Sequence, residues 1–244
     1  MITFFRIIRQ KLLTENKFGK YLLYAIGEIL LVVIGILIAL QVNNWNEESK
    51  LKKSEIIILN EIKISLEQSI SELENLIEHN DRSYNSCSVL LETYDSGRPY
   101  HDSLNIYLNR FDSRLIPYFD YAAYETLKFK GVDLISNEAL KKSIVQMFEK
   151  NLNIMLSTID RAGAFNSHIY KPFITLSTSF DPSTRNDEFH LIKPNNYIEF
   201  HKNLNYRSIL THVMHLRWDE KRDANYLKSE IEDLIIDITK EIEK

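Results

Sequence analysis

His212 and His215 lie one helical turn apart, and His201 precedes His212 by eleven residues. An i, i+3 histidine pair on a helix can chelate a divalent ion. Two helical histidines are more commonly interfacial or hydrated, so no metal ligand is assigned to them. A carboxylate-bridged di-iron bundle needs Glu-x-x-His on two helices, and the chain contains none. No G-x-S-x-G, H-E-x-x-H, Walker or G-x-G-x-x-G pattern occurs. The single cysteine, Cys87, has no recognisable triad around it and reads as a small buried apolar residue. The side chains best suited to a ligand are aromatic. Tyr118, Phe119, Tyr121 and Tyr124 stand beside Glu125 and Lys128, a mixture that can line a pocket; the competing reading is ordinary core with hydroxyls reaching water. Tyr118, Tyr121, Tyr124, Glu125 and Lys128 are therefore the candidate ligand or interaction cluster. A second set, Glu28, Gly35 and Ala39, falls inside an apolar run, where a carboxyl is costly and a small-xxx-small pair lets another helix approach.

That run, Leu22 to Val42, contains one charge and one amide, Gln41. About 20 residues at roughly 1.5 Å each match a hydrocarbon layer of about 30 Å. Ile29 to Leu40 has no polar stripe, unlike a long helix of a soluble protein. A cleaved signal peptide is the rival, but Ile38 to Val42 offers no pair of small residues for the peptidase. The spacing predicts a transmembrane helix over 21–43, after a basic amphipathic cytoplasmic segment, 1–20, and before an extracytoplasmic domain, 44–244. Arg6, Arg9, Lys11, Lys17 and Lys20 precede the helix, whereas Asn43, Asn44, Asn46, Glu47 and Glu48 follow it. Positive residues stay inside, so the N-terminus is expected in the cytoplasm and the main domain beyond the membrane. Phe4, Phe5, Ile8 and Leu12 suit a short helix on the inner leaflet, and Trp45 suits the opposite interface.

The opening residues, from Phe4 through Arg9-Gln10-Lys11 and Glu28 to Asn43-Asn44-Trp45-Asn46-Glu47, resemble the N-terminal signature of a domain-of-unknown-function family of bacterial single-pass membrane proteins. That signature is a basic RxIRQKLL segment followed by YxxYAIGEIxLVVIGILIALQxNNWNE. Tyr124 to Lys128, with Gly131, Leu134, Ile135 and Asn137, is similar to the family's mid-domain segment. The resemblance implies a topology and supplies no activity.

Six Gly and five Pro are few for 244 residues and favour long helices. Residues 46–95 read as one helix, in which Leu59, Ile62, Leu66, Ser69, Leu73 and Leu76 form an a/d seam widened by Ile56, Ile57, Ile58, Ile70 and Ile77. The seam fits either packing within the chain or a homodimer. With no Gly or Pro between Val42 and Cys87, the anchor can continue into this helix. Ser96-Gly97-Arg98-Pro99 ends it. Short helices are expected at 104–111 and 121–130, the latter stopped by Gly131. A longer helix capped by Ser136 or Asn137 should end near Ile169, before Pro172. Residues 172–195 read as loop, with minor strand not excluded at 173–178, and 195–201 as a short piece. A final helix spans about 203–243, its seam interrupted at Arg217 and Glu220. The expected fold is all-α: an N-terminal transmembrane helix, then an extracytoplasmic antiparallel helical bundle with long first and last helices.

Charge is asymmetric. Residues 1–45 carry five Lys/Arg against two Asp/Glu, and residues 46–244 carry 25 against 32. An acidic main domain disfavours nucleic acid as a partner. The expected protein is non-enzymatic and cofactor-free, held in the bilayer of a bacterial inner membrane. It would act as a sensor-like or scaffold subunit whose partner is an envelope protein or a second copy. The alternative is a metal- or small-ligand-binding periplasmic bundle. About 20 cytoplasmic residues are too few for a kinase.

Overall fold

The computed structural model describes residues 18–181 and 191–244. The basic segment expected over 1–20 thus lies outside the described residues up to position 17, as does Pro182. The chain divides into two units, one ending at Ser54 and the other running from Glu55 to Lys244.

Helix α1, Phe18–Asp95, contributes to both units. In the first unit its apolar side chains, including Leu23, Leu31, Ile38 and Val42, are exposed. An 18-residue window of this stretch is apolar on every side and uncovered. Such a helix is long and apolar enough to cross a membrane.

The second unit begins with the predicted seam. Leu59, Ile62, Leu66, Ser69, Leu73 and Leu76 are all buried within this one chain, which answers whether the seam packs internally. Ile57, expected on the same face, points outward, because a helix places only every third or fourth residue on one side. Gly97 ends α1 with a positive φ of 66°, a conformation that costs glycine nothing.

The other long helix is α8, Leu204–Ile242. It runs antiparallel to α1, as its ion pairs record: Arg207 with Asp95, Lys221 with Asp81 and Lys228 with Glu74. Between them the chain does not make a plain up-down hairpin of helices. It returns along α1 in short pieces: a 3₁₀ turn at Asp102–Leu104, α2 (Asn105–Arg110), an irregular stretch through Pro117, and α3 (Ala122–Lys130). Polar groups of α1 hold this leg in descending order. The Ser83 hydroxyl donates to Phe111 O, the Tyr118 N–H donates to Glu72 at 3.1 Å, and Ser136 donates twice to Glu55 at 2.7 and 2.8 Å.

Asn137 then caps α4, Glu138–Gln146, its side chain accepting from the N–H groups of Ala139 and Leu140. Helical structure persists beyond Ile169, contrary to expectation. A π-turn at Met147–Asn151 leads into α5 (Leu152–Phe165), and a second π-turn at Asn166–Tyr170 leads into α6 (Lys171–Ser177). Pro172 is accommodated because it lies in the first turn of α6, just after the wider turn has shifted the hydrogen-bond pattern. The region expected to be loop also holds a two-stranded antiparallel ribbon, β1 (Thr178–Phe180) with β2 (Ile192–Pro194), and the short piece expected after it is the helix α7 (Tyr197–Lys202).

Two apolar clusters result. The larger joins Leu66 and Leu73 to Leu127, Phe148, Leu152 and Ile231. The smaller joins Cys87, Leu108 and Phe111 to Tyr170, Phe200, Tyr206 and Leu210.

Candidate functional site

The aromatic cluster read from the sequence comes together only in part. Tyr124 is buried and stacks on Phe148 at 4.7 Å between ring centroids, while Tyr121 meets the same ring edge-on at 5.7 Å. Lys128 sits over the Tyr124 ring at 5.0 Å and pairs with Glu125 at 2.7 Å and Glu149 at 3.4 Å. Burial, and then the hydrogen bond to Glu149, push the Tyr124 hydroxyl up to about 12. Tyr118 stays outside this group, 76 % exposed, on the irregular stretch that precedes α3. The Tyr124 ring face is taken up by Phe148, so the arrangement is chiefly core packing.

The histidines diverge. The His212 ring stacks on Phe165 at 5.4 Å, and its Nδ1 lies 2.9 Å from Ser208 O. His215 Nε2 is 3.4 Å from Asp219, and His201 packs edge-on against Tyr94. Among the described residues, no three His, Cys, Asp or Glu side chains are grouped to hold a metal ion. On the first unit, Glu28, Gly35 and Ala39 follow the i, i+7, i+11 spacing of one helix face. A Cβ at Gly35 would meet nothing within 4 Å.

A site that sequence reasoning missed lies where the seam of α8 is broken. Arg217 and Glu220 are 4 % and 1 % exposed and bond to each other at 2.6 Å. Arg217 also donates from Nε to Ser83 Oγ at 3.2 Å and from Nη2 to Ser113 O at 3.1 Å. The same short segment is held from α1: Ser83 donates to Phe111 O, Cys87 Sγ lies 3.8 Å from that oxygen, and His79 Nε2 is 3.1 Å from Ser113 Oγ. Since Ser113 Oγ donates to Arg110 O, His79 must donate to it. Residues 111–113 are thus clamped between the two long helices. Burial, with Arg217 nearby, lowers the His79 pKa below its usual 6.5. Burial also pushes the Cys87 thiol up to about 12, keeping it protonated and weakly nucleophilic.

The middle residue of the clamp, Asp112, opens on the other side to a cleft of about 340 Å³. Tyr170, Ile174 and Thr178 are its buried residues and Asp112 is half-buried; Ile174, Phe180 and Ile192 supply apolar surface, and Lys171 is exposed at its edge. Burial raises the Asp112 pKa against the opposing pull of bonds from Tyr170 and Asn166 and the charge of Arg217. Tyr170 and Asn166 are the two ends of the second π-turn, and such turns recur at functional sites because they re-aim side chains. A cleft that is mostly apolar, with a few convergent polar groups and a perturbed carboxyl, has the features of a small-molecule site.

These features define an all-α protein with one long, uncovered apolar helix and a polar clamp beside a cleft. The chain belongs to a family of unknown function, DUF6090, whose pattern matches residues 28–152. The matched stretch holds Glu28, the seam, the clamped segment and the aromatic cluster, and stops before Tyr170 and Arg217. No curated protein and no solved structure matches the chain.

Proposed function

We propose that this protein is a non-enzymatic, membrane-anchored, sensor-like subunit of the bacterial cell envelope. In this reading α1 crosses the inner membrane with its N-terminus in the cytoplasm, and the second unit lies on the periplasmic side. It binds a small ligand and passes its state to an envelope protein or to a second copy of itself. One observation carries the reading: α1 contains both the uncovered apolar stretch and Ser83, which holds the clamped segment at the Asp112 cleft. The hydroxyl and thiol of the clamp support a binding role over a catalytic one. The Ser83 hydroxyl is engaged with Phe111 O, and Cys87 is buried as a thiol. Orientation rests on the basic residues before the apolar stretch and the Asn/Glu-rich segment after it.

The deciding experiment is crosslinking of affinity-tagged full-length protein in intact cells, with mass spectrometry of the proteins that co-purify. A recurrent envelope partner is the expected result. Self-crosslinks alone would point to a second copy as the partner, and no crosslinks at all would count against the reading.

A further inference from the structure

Asp112 is half-buried, yet among the described residues it has no ion-pair partner within 4 Å. Arg217, whose charge acts on Asp112, is itself bonded to Glu220, Ser83 and Ser113. Buried charges in folded proteins are normally paired, because an isolated one loses its hydration without compensation. At Asp112 the compensation inside the chain comes from hydrogen bonds of Tyr170, Asn166 and the backbone and from the charge of Arg217, with no ion pair in contact. The carboxyl also lines a cleft that outside molecules can enter. We propose that this cleft binds a small organic ammonium compound, its cationic head against the Asp112 carboxylate and its apolar body along Ile174, Phe180 and Ile192. The inference rests on the ligand-binding function proposed for this chain and names the ligand's chemistry.

Three features select this class. A single carboxylate is too small a donor set for a metal ion, and no group of three metal ligands occurs among the described residues. The apolar wall suits a hydrocarbon body, and about 340 Å³ lies within the range of small-ligand sites. Lys171 also lines the cleft, but it is exposed and stays hydrated. The desolvated charge is therefore the negative one, and it sets the sign of the group taken deepest.

The test is isothermal titration calorimetry of the full-length protein in detergent micelles with n-butylammonium chloride, using 1-butanol and sodium butanoate as matched probes. Saturable binding of butylammonium alone is expected, weakened at least tenfold in Asp112→Asn. Thr175→Trp, which places a bulky ring in the cleft from an exposed position, should abolish binding even if Asp112→Asn does not fold. Absence of saturable butylammonium binding, equal binding by Asp112→Asn or Thr175→Trp, or tighter binding of butanoate would overturn the proposal. An envelope partner recovered by crosslinking alongside a negative titration would remove this ligand class and leave the sensor-like reading standing.

Discussion

At the residue scale, Arg217 carries the largest electrostatic stake in the domain. Its guanidinium has exchanged water for Glu220, Ser83 Oγ and Ser113 O. Removing one member of a buried pair strands the other, at a cost of about 3–5 kcal/mol. Arg217→Ala should therefore lower the urea midpoint strongly, and Arg217→Met with Glu220→Leu should recover most of the loss; a double variant as unstable as the single would refute this account. His79 gives a pH signature. Its folded pKa is depressed, so the unfolded chain binds a proton first as pH falls below about 6.5. Stability contributed by the neutral ring is present above that pH and declines as pH drops towards the folded value. Asp112, with a raised folded pKa, acts in the opposite sense, its cost to folding easing as the carboxyl is protonated. His79→Gln should flatten the loss of stability just below pH 6.5, read as unfolding midpoints across a pH series. The sequence exposed Arg217 and Glu220 only as a gap in an apolar pattern. The other partners of Arg217 lie more than 100 residues away, Ser83 on α1 and Ser113 in a segment with no periodicity, so nothing local announced the clamp.

At the element scale, helices with a regular apolar face were legible and irregular connections were not. The three- and four-residue steps from Leu59 to Leu76 located a face that is buried, and of the two cap candidates, Ser136 and Asn137, the second is the cap. Leu66→Ala should cost about 2–5 kcal/mol, as truncation of a fully buried leucine does, measured by chemical unfolding. The π-turns had no signature, since their residues resemble those of any helix, and Pro172 looked like a stop because its position relative to the second π-turn was hidden. Tyr118 was grouped with Tyr121 and Tyr124 by proximity in sequence, but it lies on the irregular stretch before α3 and is exposed. Gly163 marks another place where packing outran sequence. A methyl there would fall on the Arg114 guanidinium, which donates to Ile159 O at 2.8 Å. Gly163→Ala should destabilise by about 1–3 kcal/mol, as overpacking does, despite alanine's better helix propensity. A midpoint at or above wild type would show that Arg114 moves aside freely.

At the scale of the whole molecule, the apolar stretch of α1 and the acidic composition of residues 46–244 could be read directly from the chain. The side of the membrane is a further step, argued from charge. Alkaline phosphatase fused after Lys244 should be active if the second unit lies outside the cytoplasm, and a cytoplasmic reporter at the same place should be silent. Activity in the reverse pattern would sink the proposed orientation.

The antiparallel pairing of α1 with α8 also governs how the protein is made. Lys221 and Asp81, which pair at 2.6 Å, are 140 residues apart in the chain. At roughly 5–20 residues per second, the ribosome needs about 7–28 s to reach Lys221 after finishing Asp81. Throughout that interval Leu66, Leu73 and Leu76 lack the helix that covers them. Pulse-labelled protein should be cleaved by added protease within α1 until α8 has been synthesised, and resist cleavage there afterwards.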